Sequence, residues 1–585
     1  MGEPTQTKTV ATGPAPGANM SGLASDIGDT VDKPCGTAAL RPAAIFSHDM
    51  VLQRHRPIPV FGTGEPGRTV IVRVSQNGSA EPIKILSRTA SGTAVSASDS
   101  VSAFTTVDDH GDWLVTLPAL EAGGPYELTV SDRSGITLTY LRVFVGEVWL
   151  AGGQSNMELE LRNSAGADAA VAASADPLLR FYNTPKTGVI DTDAEDHAIW
   201  QVSGPDTSGY MSAVAYYFAR KLRAELGPDV PIGIVDCYIG GTSITSWMSR
   251  ATLETSEAGR GYLARFDAAI AGKTEAQFEA ETTAWKTKFD AWNDAIGKAR
   301  AAEPDITWDT LNARYGECPW PPPVTPTSQY RPTGPYGTMI ERVAPYGIAG
   351  FLWYQGEEDE AHCDSYRELL GRIIDEWRGL WNDATLPFLI VQLPQWIDKN
   401  TAAAGADPLH WPVIRNAQWD AARTVPHTFT ITTIDCGEFD NIHPADKRTP
   451  GERLADCALH HVYGRDDIAV DGPAVASCTE TAGTVTVRFD HADGLRFDGT
   501  VPGTYGEDGN DPSHRSAIDS GFEIAGEDGR FRSAEATIVA DDTVTLQAAD
   551  ATRATAVRYA WRSWGPAPLF NGNGLPAAPF RVTVR

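Results

Sequence analysis

The sequence predicts an α/β protein, a doubly wound parallel-sheet domain flanked by β-sandwich modules. Three observations carry this. Between residues 146 and 465, short apolar runs such as "IGIVDCYI", "IAGFLWY", "LPFLIVQLP" and "TFTITTID" alternate with amphipathic helical stretches. Before and after that region the pattern is strands and turns only. At 585 residues the chain is also too long for a single core, so two to four domains are expected.

Residues 1–38, rich in Gly, Pro, Ser, Thr and Ala, read as a flexible tail. From 39 to 145, "PIPVFGTGEPGRTVIVRVSQNG" gives an apolar run, a Gly-Glu-Pro-Gly turn, an alternating strand and an Asn77-Gly78 turn signal. "GDWLVTLPALEAGGPYELTV" repeats that rhythm, which predicts an N-terminal β-sandwich. In the 146–465 domain, "GYMSAVAYYFARKLRAEL" reads as a helix ending near Gly227-Pro228, followed by the buried strand "IGIVDCYI" and a glycine turn. Residues 251–335 interrupt the alternation as a helical insertion. There Phe278, Trp285, Phe289, Trp292 and Ile296 form a stripe at helical spacing, read as packing surface in preference to an aromatic sugar or cofactor wall. The insertion closes on the proline-rich "CPWPPPVTP", expected to be extended. Residues 466–585 are again β-like, with turn signals about every ten residues.

A net charge of −28 disfavours nucleic acid or an anionic membrane as partner, since a polyanion calls for basic patches. The seven cysteines are odd in number, scattered and without CxxC spacing, as expected for free thiols in a reducing compartment. No apolar run reaches the length of a bilayer span and no signal-peptide pattern opens the chain, so a cytoplasmic location is the default expectation. Oligomeric state is not legible.

The chemistry centres on "VGEVWLAGGQSNME", where an apolar strand ends in a glycine turn carrying Ser155 between Gln154 and Asn156. A serine raised at a strand end is either a small turn residue or a nucleophile. A nucleophile needs a base, a group that orients the base, and donors for an oxyanion. "DNIHP" supplies Asp440 and His443 three residues apart, able to face the same way on one turn. Two further polar turns follow apolar strands: Gly240-Gly241-Thr242 and Gln355-Gly356-Glu357. Strand C-terminal ends gather ligands in open α/β sheets, so these turns point to one crevice.

Taken in order, "GQSNM", "GGT…W", "WYQGE" and "DxxHP" resemble the sialate O-acetylesterase family of SGNH-type hydrolases, with "MVLQRHRPIPVFGTGEPG", "RNAQ" and "LFNGNGLPAAPF" similar to further stretches of it. The resemblance covers roughly residues 41–585. It implies a flavodoxin-like catalytic domain with helices on both faces of the sheet, and a serine esterase that uses no metal and no other cofactor. Ser155 would be the nucleophile, His443 the base and Asp440 its orienting carboxylate. The Ser155 and Gly241 N–H groups and the Gln355 amide would form the oxyanion hole. After "QGE", family members usually carry a small polar residue and Asn, where this chain has Glu358-Asp359. The implied partner is O-acetylated sialic acid or a sialoglycan, acetylated at the 9- or 4-position.

A sialate carboxylate calls for a cation. Arg162, seven residues after Ser155 and on its face if a helix follows the turn, is one candidate, with Arg415 and Arg180 as alternatives. Gln154, Asn156, Trp247, Trp353, Tyr354 and Glu357 complete the candidate substrate-binding set. The alternatives weighed are an esterase for another acetylated carbohydrate such as xylan, a glycosidase using Glu357 with Asp440, a metal site at "EEDEAHC", and a non-catalytic carbohydrate-binding protein.

Overall fold

The computed structural model describes residues 40–585 apart from 77–80, 90–91, 304–305, 307, 499–519 and 548–552. The expected tail and the Asn77-Gly78 turn lie outside the described residues. The chain is mixed α/β and divides into two units: 1–352 with 372–386, and 353–371 with 387–585.

The first unit is organised by one strand, Thr137–Gly153. Its first part pairs antiparallel with Gly123–Asp132, which in turn pairs with Thr69–Gln76. Its second part pairs parallel with Ile232–Tyr238. Burial along it changes at the same place, from alternating to continuous, because the first part packs on one face and the second on both. A single strand therefore runs unbroken through 145–146, from β-only to α/β surroundings. A second sheet, Leu40–Pro42, Ile58–Gly64 and Asp112–Leu117, is antiparallel throughout.

Ile232–Tyr238 lies between Thr137–Gly153 and Asp176–Asn183, parallel to both. Register places Gly153 opposite Tyr238, and Asp236 opposite Asn183. The three strands thus end together, and the loops that follow leave from one edge. The helix Ala213–Leu226 returns the chain to the start of Ile232–Tyr238; Ser212 caps it by accepting from the Ala215 N–H. Gly227, at φ 109°, ends it where the sequence predicts.

The insertion is helical over Glu257–Ile270, Glu275–Ala302 and Trp308–Tyr315. Thr274 and Gln277 close a capping box on the long helix. Trp292, Ile296 and Ala299 form a small core with Leu311. The indoles of Trp285 and Trp292 donate to the carbonyls of Pro319 and Gly316 at 2.6 and 2.9 Å. The aromatic stripe is packing surface, as read, and what it grips is the turn that follows its own helices.

In the second unit, Phe388–Val391 and Thr428–Ile431 are parallel and fully register-matched. After the helix Arg448–His461 come two four-stranded antiparallel sheets, one built on Thr484–Asp490 and one on Phe522–Ala525. They share a core that includes Val487, Leu546, Phe522, Tyr559 and Phe580. Each such side chain contributes about 1.5–3 kcal/mol by leaving water. The six described cysteines are unpaired thiols.

Candidate active site

Ser155 opens a four-residue helix, Ser155–Glu158, directly after the strand ends at Gly153. It is half-buried, whereas Gln154 and Asn156 on either side are buried. Those two amides therefore belong to the framework of the turn, and the serine is its outward residue. The Gln154 carbonyl accepts from the N–H groups of Met157 and Glu158 at 2.8 and 2.9 Å, which fixes the curl of the chain around the serine.

The Gly240-Gly241 turn lies against it. A methyl group on Gly240 would sit 2.8 Å from Glu158 Oε2 and 3.2 Å from Ser155 Cβ, so only glycine lets the two backbones approach this closely. The Gly240 N–H donates to Glu158 Oε2. Gly241 has φ +72°, and a side chain there would drive into the Trp320 ring. Among the described residues the Gly241 N–H meets no acceptor. An unsatisfied backbone donor beside a half-buried serine is the arrangement an oxyanion hole requires.

Acidic and basic groups support this corner. Lys186 Nζ bonds Glu158 Oε1 at 2.5 Å and lies 4.6 Å from the Tyr238 ring centre. Asp236 is 2% exposed and neither carboxylate oxygen reaches a donor; burial pushes it up to about 7, against the pull of the Lys186 charge. Glu160 is also raised by burial, against the pull of Arg162. Glu158, Lys186, Asp236 and Trp320 were not singled out from sequence. Glu158 stood inside the serine motif, but its partner lies 82 positions away.

Arg162 does not continue the serine helix. The helix stops at Glu158, a 3-10 turn over Leu161–Asn163 follows, and Arg162 pairs with Glu160 at 2.7 Å while stacking 4.2 Å over Tyr210. Arg180 is buried and donates to the carbonyls of Asp49, Arg142 and Pro177. Trp247 is no sugar wall either. It is fully buried, and its indole donates to Thr242 Oγ1 at 2.9 Å.

In the second unit, Trp353 and Tyr354 are core residues at the end of the strand Gly350–Tyr354. Apolar strand residues buried on both faces leave no ring open for a sugar. Gln355 is fully buried; its amide donates to Asp359 Oδ2 at 2.6 Å and its Oε1 accepts from the Tyr366 hydroxyl at 2.9 Å. Asp359, which departs from the family pattern, is thus the residue that holds this amide. Glu357 is buried at the start of the acidic turn Glu357–His362, ahead of the helix Cys363–Leu380.

Arg415 is fully buried and braces the C-terminal module: it donates to the carbonyls of Arg562, Ser563 and Ala560 at 2.6, 3.2 and 3.5 Å. Burial lowers it to about 9. It is not placed to take a substrate carboxylate.

Asp440 and His443 lie in a loop before the helix Arg448–His461, not on a helical turn. Asp440 has φ +57°, and its carboxylate accepts from the Lys399 N–H at 3.0 Å with Lys399 Nζ 3.9 Å away. His443 is 8% exposed, and its N–H donates to Asn441 Oδ1 at 3.1 Å. Glu438 spans the same loop, accepting from Asn441 Nδ2 and the Ala445 N–H, both at 2.7 Å. The histidine backbone is therefore held from both sides.

Residues 324–460 match the carbohydrate esterase family of sialic acid-specific acetylesterases. That stretch carries Gln355, Asp440 and His443. The chain is 26% identical to the sialate O-acetylesterase of Mus musculus, over 74% of this chain and 75% of the relative. It is 24% identical to that of Homo sapiens, over 92% of each. Among solved structures, a carbohydrate acetylesterase from Xanthomonas citri aligns over 93% of this chain and 99% of that one, with 29% identity and a TM-score of 0.67. These matches set aside the non-catalytic reading: the chain is an ester hydrolase, and its residues 324–460 are similar to the sialic acid-specific acetylesterases among the carbohydrate esterases.

Proposed function

We propose that the protein is a serine esterase that removes O-acetyl groups, at the 9- or 4-position, from sialic acids, through an SGNH-type catalytic domain. The observation that carries the reading is the half-buried Ser155 against the Gly240-Gly241 turn, with the Gly241 N–H open. The names of the mammalian relatives supply the substrate class.

In this mechanism Ser155 Oγ attacks the acetyl carbonyl while His443 takes its proton. The oxyanion is met by the N–H groups of Ser155 and Gly241 and by the Gln355 amide. Collapse returns the proton from His443 to the departing sugar hydroxyl. Water then attacks the acetyl-serine in the same way and frees acetate. Asp440, whose Oδ1 accepts the Lys399 N–H, would orient His443 through its second carboxylate oxygen.

A second reading is an acetylesterase for neutral carbohydrate such as acetylated xylan. It is favoured by one specific observation: Arg180 and Arg415 are buried and spent on backbone carbonyls, and the exposed Arg162 is already paired with Glu160. Acetate release measured side by side on 9-O-acetyl sialic acid and acetylated xylan decides between them. Ser155→Ala, assayed on both, must abolish turnover; retained turnover would sink the serine mechanism.

A further inference from the structure

The segment that closes the insertion, after its last helix Trp308–Tyr315, is strapped over the sheet edge from which Ser155 and Gly241 emerge. Arg331 donates to the Gly188 carbonyl and to the Ser328 carbonyl, the Thr333 N–H donates to the Thr245 carbonyl at 3.0 Å, and Ser246 Oγ donates to the Tyr330 carbonyl at 3.2 Å. Trp285, from the long helix, holds the Pro319 carbonyl. The strap is thus fixed both to the loop after Asp176–Asn183 and to the turn after Ile232–Tyr238.

Two aromatic rings come with it. The six-membered edge of Trp320 lies on Gly241, close enough to exclude any side chain there. Tyr330 meets Trp320 edge to face, with centroids 5.2 Å apart and an interplanar angle of 87°. Glu158 is near enough to Tyr330 to act on its hydroxyl, which burial raises to about 12. Trp320 is only half-buried, and among the described residues its indole N–H meets no acceptor. It therefore differs from Trp247, Trp285 and Trp292, whose N–H groups are spent inside the protein. A half-open aromatic with a spare donor beside an oxyanion donor is a recognition surface: the ring offers an apolar face and the N–H a single polar contact.

We propose that Trp320, buttressed by Tyr330, forms the wall of the acyl-donor site and packs against the pyranose ring that carries the acetyl ester. It thereby selects sugar esters over simple ones. The proposal rests on the assignment of Ser155 and Gly241 above. The apolar C–H face of a pyranose is common to sialic acid and to xylose, so the wall recognises the ring form, and other groups distinguish the two sugars.

The test compares wild type, Trp320→Ala and Trp320→Phe on three acetates: 9-O-acetyl sialic acid, acetylated xylan and an aryl acetate. The expected result is a KM for the preferred sugar ester about tenfold higher in Trp320→Ala, with the sugar-over-aryl ratio of kcat/KM falling by a similar factor. Trp320→Phe, which keeps a ring on Gly241 but lacks the indole N–H, should fall between. If Trp320→Ala does not fold, Trp320→Phe decides: a lowered ratio supports the wall. An unchanged ratio in the folded variants, or kcat lost equally on all three esters, overturns it and leaves Trp320 as packing on the turn. Ser155→Ala runs in parallel. Turnover surviving there refutes the serine mechanism, whatever Trp320 does.

Discussion

Glu158 accepts the Gly240 N–H through one carboxylate oxygen and binds Lys186 through the other. One buried carboxylate therefore joins the helix that opens on Ser155, the turn that presents the Gly241 N–H, and the loop after the neighbouring strand. Removing it should free the glycine turn to drift from the serine. Glu158→Ala is expected to lower kcat on the order of ten- to a hundredfold, the worth of a hydrogen bond to a charged group, with KM little changed. Steady-state kinetics on any accepted acetate would show it. A change confined to KM would mean that Glu158 contacts substrate instead.

Gly241→Ala puts a methyl group into the Trp320 ring from a left-handed backbone. The variant should lose roughly 1–3 kcal/mol of stability and on the order of a hundredfold in turnover, because the proposed oxyanion donor is displaced. Thermal unfolding and kcat measured together check this. Pairing it with Trp320→Ala should recover part of the stability, since the clash is removed while the backbone strain stays.

Asp236 gives a pH signature of stability. Its folded value of about 7 lies above the ordinary 3.8, so the native state holds a proton between those values that the unfolded chain has lost. Stability contributed by this group is present at low pH, falls as pH rises towards 7, and is level beyond. Asp236→Asn is neutral throughout and should escape the loss. Its stability relative to wild type should climb between pH 4 and 7, by up to roughly 4 kcal/mol, and then plateau. Denaturant titrations at several pH values measure it, and parallel curves for the two proteins would contradict the assignment.

Arg415→Ala removes the donor to three carbonyls of the C-terminal module. Calorimetry should show destabilisation of about 3–5 kcal/mol. Arg415→Lys should recover little, because an ammonium cannot span three carbonyls as a planar fork does. A normal melting temperature with a raised KM for sialic acid esters would return Arg415 to the substrate.

Much of the fold is legible because its signals are local. The apolar strand Ile232–Tyr238, the helix end at Gly227 and the insertion stripe each follow from neighbouring residues. The serine turn is legible too, since the two glycines that close a buried strand permit the sharp turn that follows. The substrate-facing residues were not. Trp247, Trp353 and Tyr354 have the composition of a sugar wall, but they sit where the chain is covered on both sides. An arginine's charge says nothing about whether its partner is a ligand or, as for Arg415, three carbonyls of its own chain.

The sequence by itself determined which residues are candidates for the chemistry: a serine between two amides after a glycine pair, a glycine able to offer its N–H, and a histidine in a loop of acids and amides. Only the tertiary structure decided how that corner is braced and roofed. Glu158 holds Gly240, and Trp320 arrives over Gly241 from the closing segment of the helical insertion. The physical reason is sequence separation. Turn chemistry is set by backbone sterics within a few residues, whereas a side chain's burial and partner depend on which distant segment packs against it.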